Sequence, residues 1–196
     1  MSESKNKTEA GKAGRRVAPD LLDAGLDLLA EHGIEHLTID ALCKHLCVTK
    51  GSFYHHFKNR EEYLERMLEH WVQEWILGRF CRNDKGMTAV QRFQAVVAEA
   101  DTVSCKLETN IRTWAQRDPM AQRYLERVDG IGMDYMCDIF EELTGDRERA
   151  VLLSRIDYAL FVGTRMIAPP IKGDERRAIL RLVGKELYGM DFNKSA

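Results

Sequence analysis

The sequence has few prolines and aromatic residues, and it lacks long apolar runs and an export signal. It has only 4 prolines and 8% aromatic residues in 196 residues, which argues against a many-stranded sandwich with its frequent turns. No stretch approaches the roughly 20 consecutive apolar residues of a membrane span. The first residues are polar and lack the apolar core of an export signal. We therefore expect a protein that has no membrane partner and stays in the cytoplasm.

The cysteines do not form the patterns of a disulfide framework or a zinc ribbon. There are 5, an odd number, and none forms a C-x-x-C pair. Cys43 and Cys47, with His45 between them, could hold half a metal site, but no second pair follows at zinc-finger spacing, so small buried side chains are favoured. For Cys105 and Cys137, inert burial is favoured over oxidant sensing. We expect no metal and no cofactor.

The charges are distributed unevenly although the net charge is only −2. Residues 1–16 hold five bases against two acids and no large apolar residue beyond Met1, which predicts a mobile basic tail. The charged residues of 17–43 are all acidic, whereas those of 44–60 are all basic. A local positive stretch in an acidic protein indicates one face that meets phosphates.

Helical periodicity and capping residues predict an all-α fold of about nine helices. The first helix begins at Pro19 and ends at Gly33, because glycine adopts the left-handed cap conformation without a Cβ clash. Thr38 and Thr49 are expected to cap two short helices, the second ending near Phe57. We expect residues 17–60 to form one domain and residues 61–196 a second helical domain.

The later helices are predicted from the same kinds of signal. Asn59 is expected to cap a long helix, with Glu62 as its reciprocal capping partner. Gly145 closes another long helix, and Asp146 caps the next one, which breaks at the Pro169–Pro170 pair. The last helix is expected from about Asp174 to Tyr188.

Residues 38–57 have the spacing of a helix-turn-helix, with Cys47 and Val48 as a two-residue turn. An α-helix with side chains is about as wide as the major groove, roughly 12 Å. Apolar positions supply the core face of this element. The side chains left to face outward can hydrogen-bond phosphates and base edges: Thr49, Lys50, Ser52, Tyr54, His55 and His56.

Residues 22–64, above all the run Val48-Thr49-Lys50-Gly51-Ser52-Phe53-Tyr54-His55-His56-Phe57-Lys58, resemble the DNA-binding domain of TetR-type repressors. The resemblance implies a homodimer on a palindromic double-stranded operator, and repression is the usual mode in that family. By this resemblance, Lys58 lies beside the DNA backbone. The residues near DNA phosphates are Thr38, Thr49, Tyr54, His56 and Arg60. Those nearest base edges are Lys50, Gly51, Ser52 and His55.

One residue departs from the family pattern. Cys47 stands where the family usually has glycine, at a turn position that tends to require a positive φ. A non-glycine residue there costs roughly 1–2 kcal/mol if the geometry is kept. We therefore expect the turn to be strained.

Aromatic and methionine side chains between residues 71 and 166 have two possible roles. Each alone is more typical of a core, whereas together they could line a pocket for a small apolar effector. Gly130 and Gly132, in a predicted helix, could relieve crowding or open space beside a ligand. The candidate pocket residues are Trp71, Trp75, Phe93, Trp114, Met133, Met136, Phe140, Tyr158, Phe161 and Met166.

The last two predicted helices carry apolar stripes that could pack within the chain. The family resemblance favours a second role, a two-fold four-helix bundle between subunits. The candidate interface residues are Ile156, Leu160, Gly163, Ile167, Ile179, Val183 and Leu187.

These observations predict a ligand-responsive transcriptional regulator, with two alternatives. One is a DNA-binding helical protein without small-molecule control. The other is an enzyme that uses the C-terminal pocket, although the sequence has no nucleophile elbow, glycine-rich phosphate loop or metal motif. We therefore expect no catalytic residues.

Overall fold

The computed structural model describes residues 19–78, 86–102 and 105–189, without the side chains of Trp75, Asp101 and Thr102. The regular structure in these ranges is helical throughout, as the sequence predicts. The predicted tail at 1–16 lies outside the described residues. The α-helices are α1 (19–32), α2 (Ile39–His45), α3 (Lys50–His56), α4 (Arg60–His70), α5 (Ala89–Thr102), α6 (Cys105–Ala115), α7 (Pro119–Thr144), α8 (Arg147–Met166) and α9 (Gly173–Glu186).

Two shorter segments interrupt this pattern. Ile34–His36 forms a 3-10 turn between α1 and α2, and Trp71–Leu77 continues α4 as a π-helix. None of the described helices combines the length and the apolar character needed to span a bilayer.

The predicted capping residues begin the helices as expected. The Thr38 and Thr49 hydroxyl oxygens accept hydrogen bonds from the Ala41 and Ser52 amides, at 3.1 Å and 3.2 Å. Asp146 caps α8 in the same way, and Gly33 and Gly145 have positive φ after α1 and α7. These confirmed ends follow from local chemistry, because a cap needs only residues close in sequence.

The cap of α4 differs in one detail from the expected reciprocal arrangement. The Asn59 side chain accepts from the Glu62 amide at 2.8 Å, as predicted. The Glu62 carboxylate, however, accepts from the amide of Lys58 at 2.9 Å and not from that of Asn59. The predicted donor to Glu62, the Asn59 amide, was therefore wrong by one residue. The last helix also differs slightly, since it spans Gly173–Glu186.

A buried aromatic cluster lies beneath α3. The rings of Phe53, Phe57 and Tyr63 lie 5.1–5.3 Å apart between centroids. The Tyr63 hydroxyl donates to the Leu21 carbonyl at 2.8 Å, so the cluster also holds α1. A Cβ on Gly25 would lie 1.9 Å from the Tyr63 hydroxyl oxygen, which explains the glycine inside α1.

The chain divides into two compact units. The first runs up to Trp75 and includes Lys106–Leu125, and the second holds Ile76–Cys105 and the residues from Glu126 onward. In the first unit, the Asn110 amide donates to the Leu29 and Ala30 carbonyls at 2.8 Å and 3.1 Å. Because the amide meets carbonyls at the end of α1, α6 secures the end of that helix. The functional boundary expected at residue 60 stays a prediction.

The second unit has its own aromatic core. Phe93, Phe140 and Tyr188 pack with ring centroids 4.6–5.9 Å apart. The Tyr188 hydroxyl donates to the Asp157 carboxylate at 3.2 Å. Burial raises the pKa of Asp157 to about 6, against smaller lowering effects of the Tyr188 hydroxyl and the Arg176 charge. A titratable carboxyl group therefore joins α8 to the end of this core.

The turn between α2 and α3 has the backbone geometry expected from its sequence position. Cys47 has a φ of 54° and is exposed, and its amide donates to the Lys44 carbonyl at 3.3 Å. The Val48 amide donates to the Cys43 carbonyl at 3.0 Å. A residue with a Cβ is strained in this left-handed conformation.

Replacing Cys47 with glycine is expected to stabilise the first unit. Removing the Cβ relieves roughly 1–2 kcal/mol of strain, and the greater freedom of glycine in the unfolded chain offsets about 0.5–1 kcal/mol of that gain. We expect Cys47→Gly to raise the midpoint of thermal or urea unfolding, measured by circular dichroism.

Cys47→Ala is the matched control, because it removes the sulfur and keeps the strained Cβ. It should not reproduce the gain. A Cys47→Gly protein that melts below the wild type would show that this turn is not strained.

Candidate nucleic-acid interface

The helix-turn-helix presents a short, well-defined rod. The seven residues of α3 span about 10 Å at 1.5 Å per residue. Phe53 and Phe57 are buried beneath it, whereas the next residue after Phe53, Tyr54, has 54% of its surface exposed. A helix held from one side and free on the other can enter a groove.

Most of the predicted contact residues are exposed to solvent. Those that are exposed are Thr38, Thr49, Lys50, Gly51, Tyr54, His55, Lys58 and Arg60. Ser52 and His56 are half-buried. The predicted set therefore lies on α3 and at the starts of α2 and α4, the helices that come before and after α3 in the chain.

In the two threonine caps, the hydroxyl oxygen is used as an acceptor and the hydroxyl proton can still be donated. Thr38 and Thr49 use an oxygen lone pair to accept a backbone amide. A hydroxyl that accepts can still donate its proton, and a helix N-terminus carries positive polarisation. Each cap can therefore bind a phosphate oxygen without giving up its role in the fold.

No neighbouring atom within the chain requires glycine at position 51. A Cβ at this position would meet only the Thr49 hydroxyl oxygen, at an ordinary 3.6 Å. Glycine in a helix costs about 1 kcal/mol relative to alanine. The fold of the chain therefore leaves room for a side chain at Gly51, and the predicted role of this glycine near base edges stays a prediction.

Lys50 has a partner that the sequence analysis missed. Its ammonium group lies 2.7 Å from the Asp40 carboxylate, and both side chains are exposed. The hydrogen bond to Asp40, with its charge, raises the pKa of Lys50. The two residues are ten positions apart, which no helical periodicity connects, so only the tertiary fold reveals the pair.

Two adjacent histidines follow Tyr54. The rings of His55 and His56 lie 5.0 Å apart. Desolvation, followed by the charges of His55 and Arg66, lowers the pKa of His56. The lowered pKa favours the neutral imidazole of His56, which offers one ring N–H donor. The Arg66 guanidinium donates to the His56 carbonyl at 3.1 Å, which fixes the end of α3.

Arg60 has a structural role in addition to its predicted role at the phosphates. Its Nε donates to the Leu37 carbonyl at 3.1 Å and its Nη2 to the Ile34 carbonyl at 3.5 Å. These contacts join the start of α4 to the 3-10 segment before α2. The exposed Lys58, two residues earlier, is a cleaner probe of phosphate binding.

The predicted pocket residues do not all belong to one unit. Trp71 and Trp114 are buried in the first unit, and the Trp75 side chain lies outside the described residues. The remaining candidates belong to the second unit: Phe93, Met136 and Phe140 are buried, Met133, Tyr158 and Phe161 are half-buried, and Met166 is exposed.

Polar groups accompany the half-buried part of this set. The Tyr158 hydroxyl donates to Asp129 at 2.8 Å, and the Arg165 guanidinium lies 3.8 Å from the centre of the Phe161 ring. A Cβ at Gly132 would lie 2.7 Å from the Tyr158 ring, so this glycine relieves crowding. Gly130 has open space around it.

The predicted interface stripes are largely accessible. Ile156, Ile167 and Leu187 are exposed, and Leu160, Gly163 and Ile179 are half-buried. Val183 packs partly against the core of its own unit.

The sequence analysis missed two more exposed residues on the same helices. Leu152 and Leu182 are 59% and 63% exposed. The spacing of Leu152 to Ile156 could have revealed the first. For Leu182, the sequence pattern does not distinguish which of the adjacent residues Leu182 and Val183 is exposed.

The described residues contain no group of three or more His, Cys, Asp or Glu side chains placed to hold a metal ion. Cys43 and Cys137 are buried, Cys105 is half-buried and Cys47 is exposed.

Comparison with known proteins agrees with this geometry. Residues 21–67 match the family described as bacterial regulatory proteins, tetR family. The HTH-type transcriptional repressor KstR2 of Mycolicibacterium smegmatis is 30% identical over 73 residues, which are 37% of this chain and 34% of that protein. The transposon Tn10 TetC protein of Escherichia coli is 34% identical over 59 residues, 30% of each chain. The chain thus spans about a third of the length of these curated relatives.

Solved structures share the fold over most of the chain. A transcriptional regulator from Rhodococcus sp. Rha1 has a TM-score of 0.65 at 19% identity, covering 90% of this chain and 99% of that one. The ketosteroid transcriptional regulator KstR2 of Mycobacterium tuberculosis has a TM-score of 0.60 at 16% identity, covering 88% and 93%. The segment matched by the family model, residues 21–67, contains α2, the strained turn and α3, and this part of the chain is similar to the N-terminal domain of the tetR family of bacterial regulatory proteins.

Proposed function

We propose that this protein is a transcriptional regulator, acting as a repressor, that binds a palindromic DNA operator as a homodimer in the cytoplasm. The observation that carries the proposal is the exposed polar surface of α3, which is held from below by Phe53 and Phe57. In this arrangement α3 enters the major groove and the caps of α2 and α3 bind phosphates. The 73-residue similarity to the HTH-type transcriptional repressor KstR2 supports the same role.

Dimerisation follows from the apolar surface of α8 and α9. Leu152, Ile156 and Leu182 are exposed on these two helices, and Ile167 and Leu187 are exposed directly after them. Large exposed apolar side chains on two helices of one unit support an interaction site, and a two-fold contact would cover them on both copies at once. In the dimer, the two copies of α3 would lie about 34–36 Å apart, or a multiple of that distance.

Release by a small apolar effector is the ligand-dependent part of the proposal. Met133, Tyr158 and Phe161 offer apolar surface that the core of the second unit has not fully covered. Asp129 and Arg165 lie beside it and can orient a ligand. A ligand that binds one conformation better than the other shifts the population towards it.

The alternatives have their own discriminating observations. A regulator without small-molecule control would bind its operator and respond to no compound. An enzyme would show turnover by the DNA-free protein. We propose no enzymatic activity, because the supporting geometry is that of a nucleic-acid surface.

DNA binding is tested by selecting bound sequences from random double-stranded DNA with the purified full chain. We expect a palindromic consensus whose half-site spacing reads out the distance between the two α3 helices. Lys50→Ala should relax the preference at one base pair of each half-site by about tenfold, because a good base contact is worth about 1–3 kcal/mol. Binding titrations at several salt concentrations complete the measurement.

Lys58→Ala should instead weaken binding to all sequences alike and reduce the salt slope by about one. Lys106→Ala, at an exposed lysine of α6, removes the same charge and should change neither quantity. Equal effects of Lys50→Ala on every sequence would contradict the base-reading role of Lys50.

The dimer is tested by Leu182→Glu. Burying a leucine side chain contributes about 1.5–3 kcal/mol. Because a two-fold contact buries this residue in both copies, the substitution loses that contribution twice. We expect the wild type to sediment at twice the 22.5 kDa chain mass and the variant to dissociate at protein concentrations at least tenfold higher.

Val90→Glu is the matched control, because Val90 is an exposed apolar residue of α5. It should leave the dimer intact. A Leu182→Glu protein as dimeric as the wild type would place the interface elsewhere.

Effector binding is tested by thermal-shift screening with apolar compounds, followed by operator binding in the presence of each hit. We expect at least one compound to raise the melting temperature and weaken operator binding. Met133→Trp should abolish both effects by filling the half-buried position, and Met166→Trp, at an exposed position, should preserve them. Compounds that stabilise the protein without affecting its DNA affinity would contradict ligand control.

A further inference from the structure

The Asp40–Lys50 pair requires an explanation beyond the stability of the fold. Both side chains are exposed, and their charged groups lie 2.7 Å apart. Exposed ion pairs contribute little to stability, because water screens the charges and ordering two side chains costs entropy. The pair therefore does not explain why these two residues occupy the DNA-facing surface.

The position of Lys50 is electrostatically unfavourable within its own helix. Lys50 is the first residue of α3, where the helix dipole presents its positive end and favours acids. Asp40 lies in the first turn of α2, where an acid is favoured, and its carboxylate compensates the ammonium of Lys50. A lysine that needs this compensation is better explained by what it contacts outside the protein.

The position of Asp40 is equally unfavourable with respect to DNA. It is exposed beside Thr38 and Lys50, which are proposed to approach DNA. A lone carboxylate near phosphates is repelled. Held against Lys50, the same carboxylate is neutralised and presents a hydrogen-bond acceptor next to the donors of the ammonium group.

This combination matches the major-groove edge of a G·C base pair. Guanine presents two acceptors, O6 and N7, and cytosine presents the N4 amino donor. An ammonium donates to the guanine acceptors, and a carboxylate accepts from the cytosine amino group. An A·T pair places its one donor, adenine N6, between two single acceptors, adenine N7 and thymine O4, so only G·C offers the ammonium two adjacent acceptors with a donor beside them for the carboxylate.

We propose that Asp40 and Lys50 act as one unit that reads a G·C pair in each operator half-site, with Asp40 as a specificity-determining residue. The inference rests on the proposed function. In the free protein the pair holds the lysine in place. In the complex the ammonium contacts guanine and the carboxylate stays within reach of cytosine.

The experiment compares sequences selected from random DNA by the wild type, Asp40→Asn, Lys50→Ala and the double variant, all as full chains. The wild type should select a G·C pair at one position of each half-site. Asp40→Asn keeps the shape and removes the charge, and it should reduce discrimination at that position by about tenfold while the other positions keep their preferences.

The double variant should lose no more discrimination at that pair than Lys50→Ala alone, because two residues that act together are not additive. Asp27→Asn is the charge-matched control, since Asp27 is exposed on α1. It should raise the affinity for all sequences slightly, if at all. Melting curves verify that each variant is folded.

The outcomes separate the inference from the function it rests on. If the wild type selects a consensus and Asp40→Asn keeps the same preference at every position, the inference is wrong and the regulator function stands. The same holds if Asp40→Asn changes affinity uniformly, as Asp27→Asn does. If the wild type enriches no sequence, both fail.

Discussion

The packing of three rings beneath α3 is the constraint on which the proposed DNA-binding surface depends. Phe53 and Phe57 belong to α3 and its end, whereas Tyr63 belongs to α4 and reaches α1 through its hydroxyl. The rings fill the buried side of a helix that is only seven residues long. Isolated helices of this length are unstable in water, so α3 keeps its shape through these contacts and leaves its outer face free for DNA.

Much of this fold was predictable from sequence because its signals are local. Thr38, Thr49 and Asp146 begin helices with their own side chains, and Gly145 ends one with its backbone. Such features depend on three or four neighbouring residues. The positive φ of Cys47 was expected from a family resemblance over a short motif and is confirmed.

The parts that sequence could not supply involve partners far apart in the chain or choices between equivalent apolar roles. Arg60 bonds carbonyls 23 and 26 residues away, and backbone acceptors leave no trace in a sequence pattern. Phe93 and Phe161 have similar side chains, yet Phe93 is buried in a core and Phe161 is half-buried beside Arg165. Apolar periodicity identifies the buried face of a helix without stating which neighbour covers it.

Three side chains of the first unit form hydrogen bonds that share a property with an evolutionary consequence. Tyr63, Arg60 and Asn110 each donate from a side chain to main-chain carbonyls. Every amino acid supplies that acceptor, so the residues at the receiving end can drift without loss of the bond. Mutational tolerance should consequently be one-sided, strict at the three donors and more permissive at the half-buried Ile34 and Ala30, whose carbonyls serve regardless of side chain.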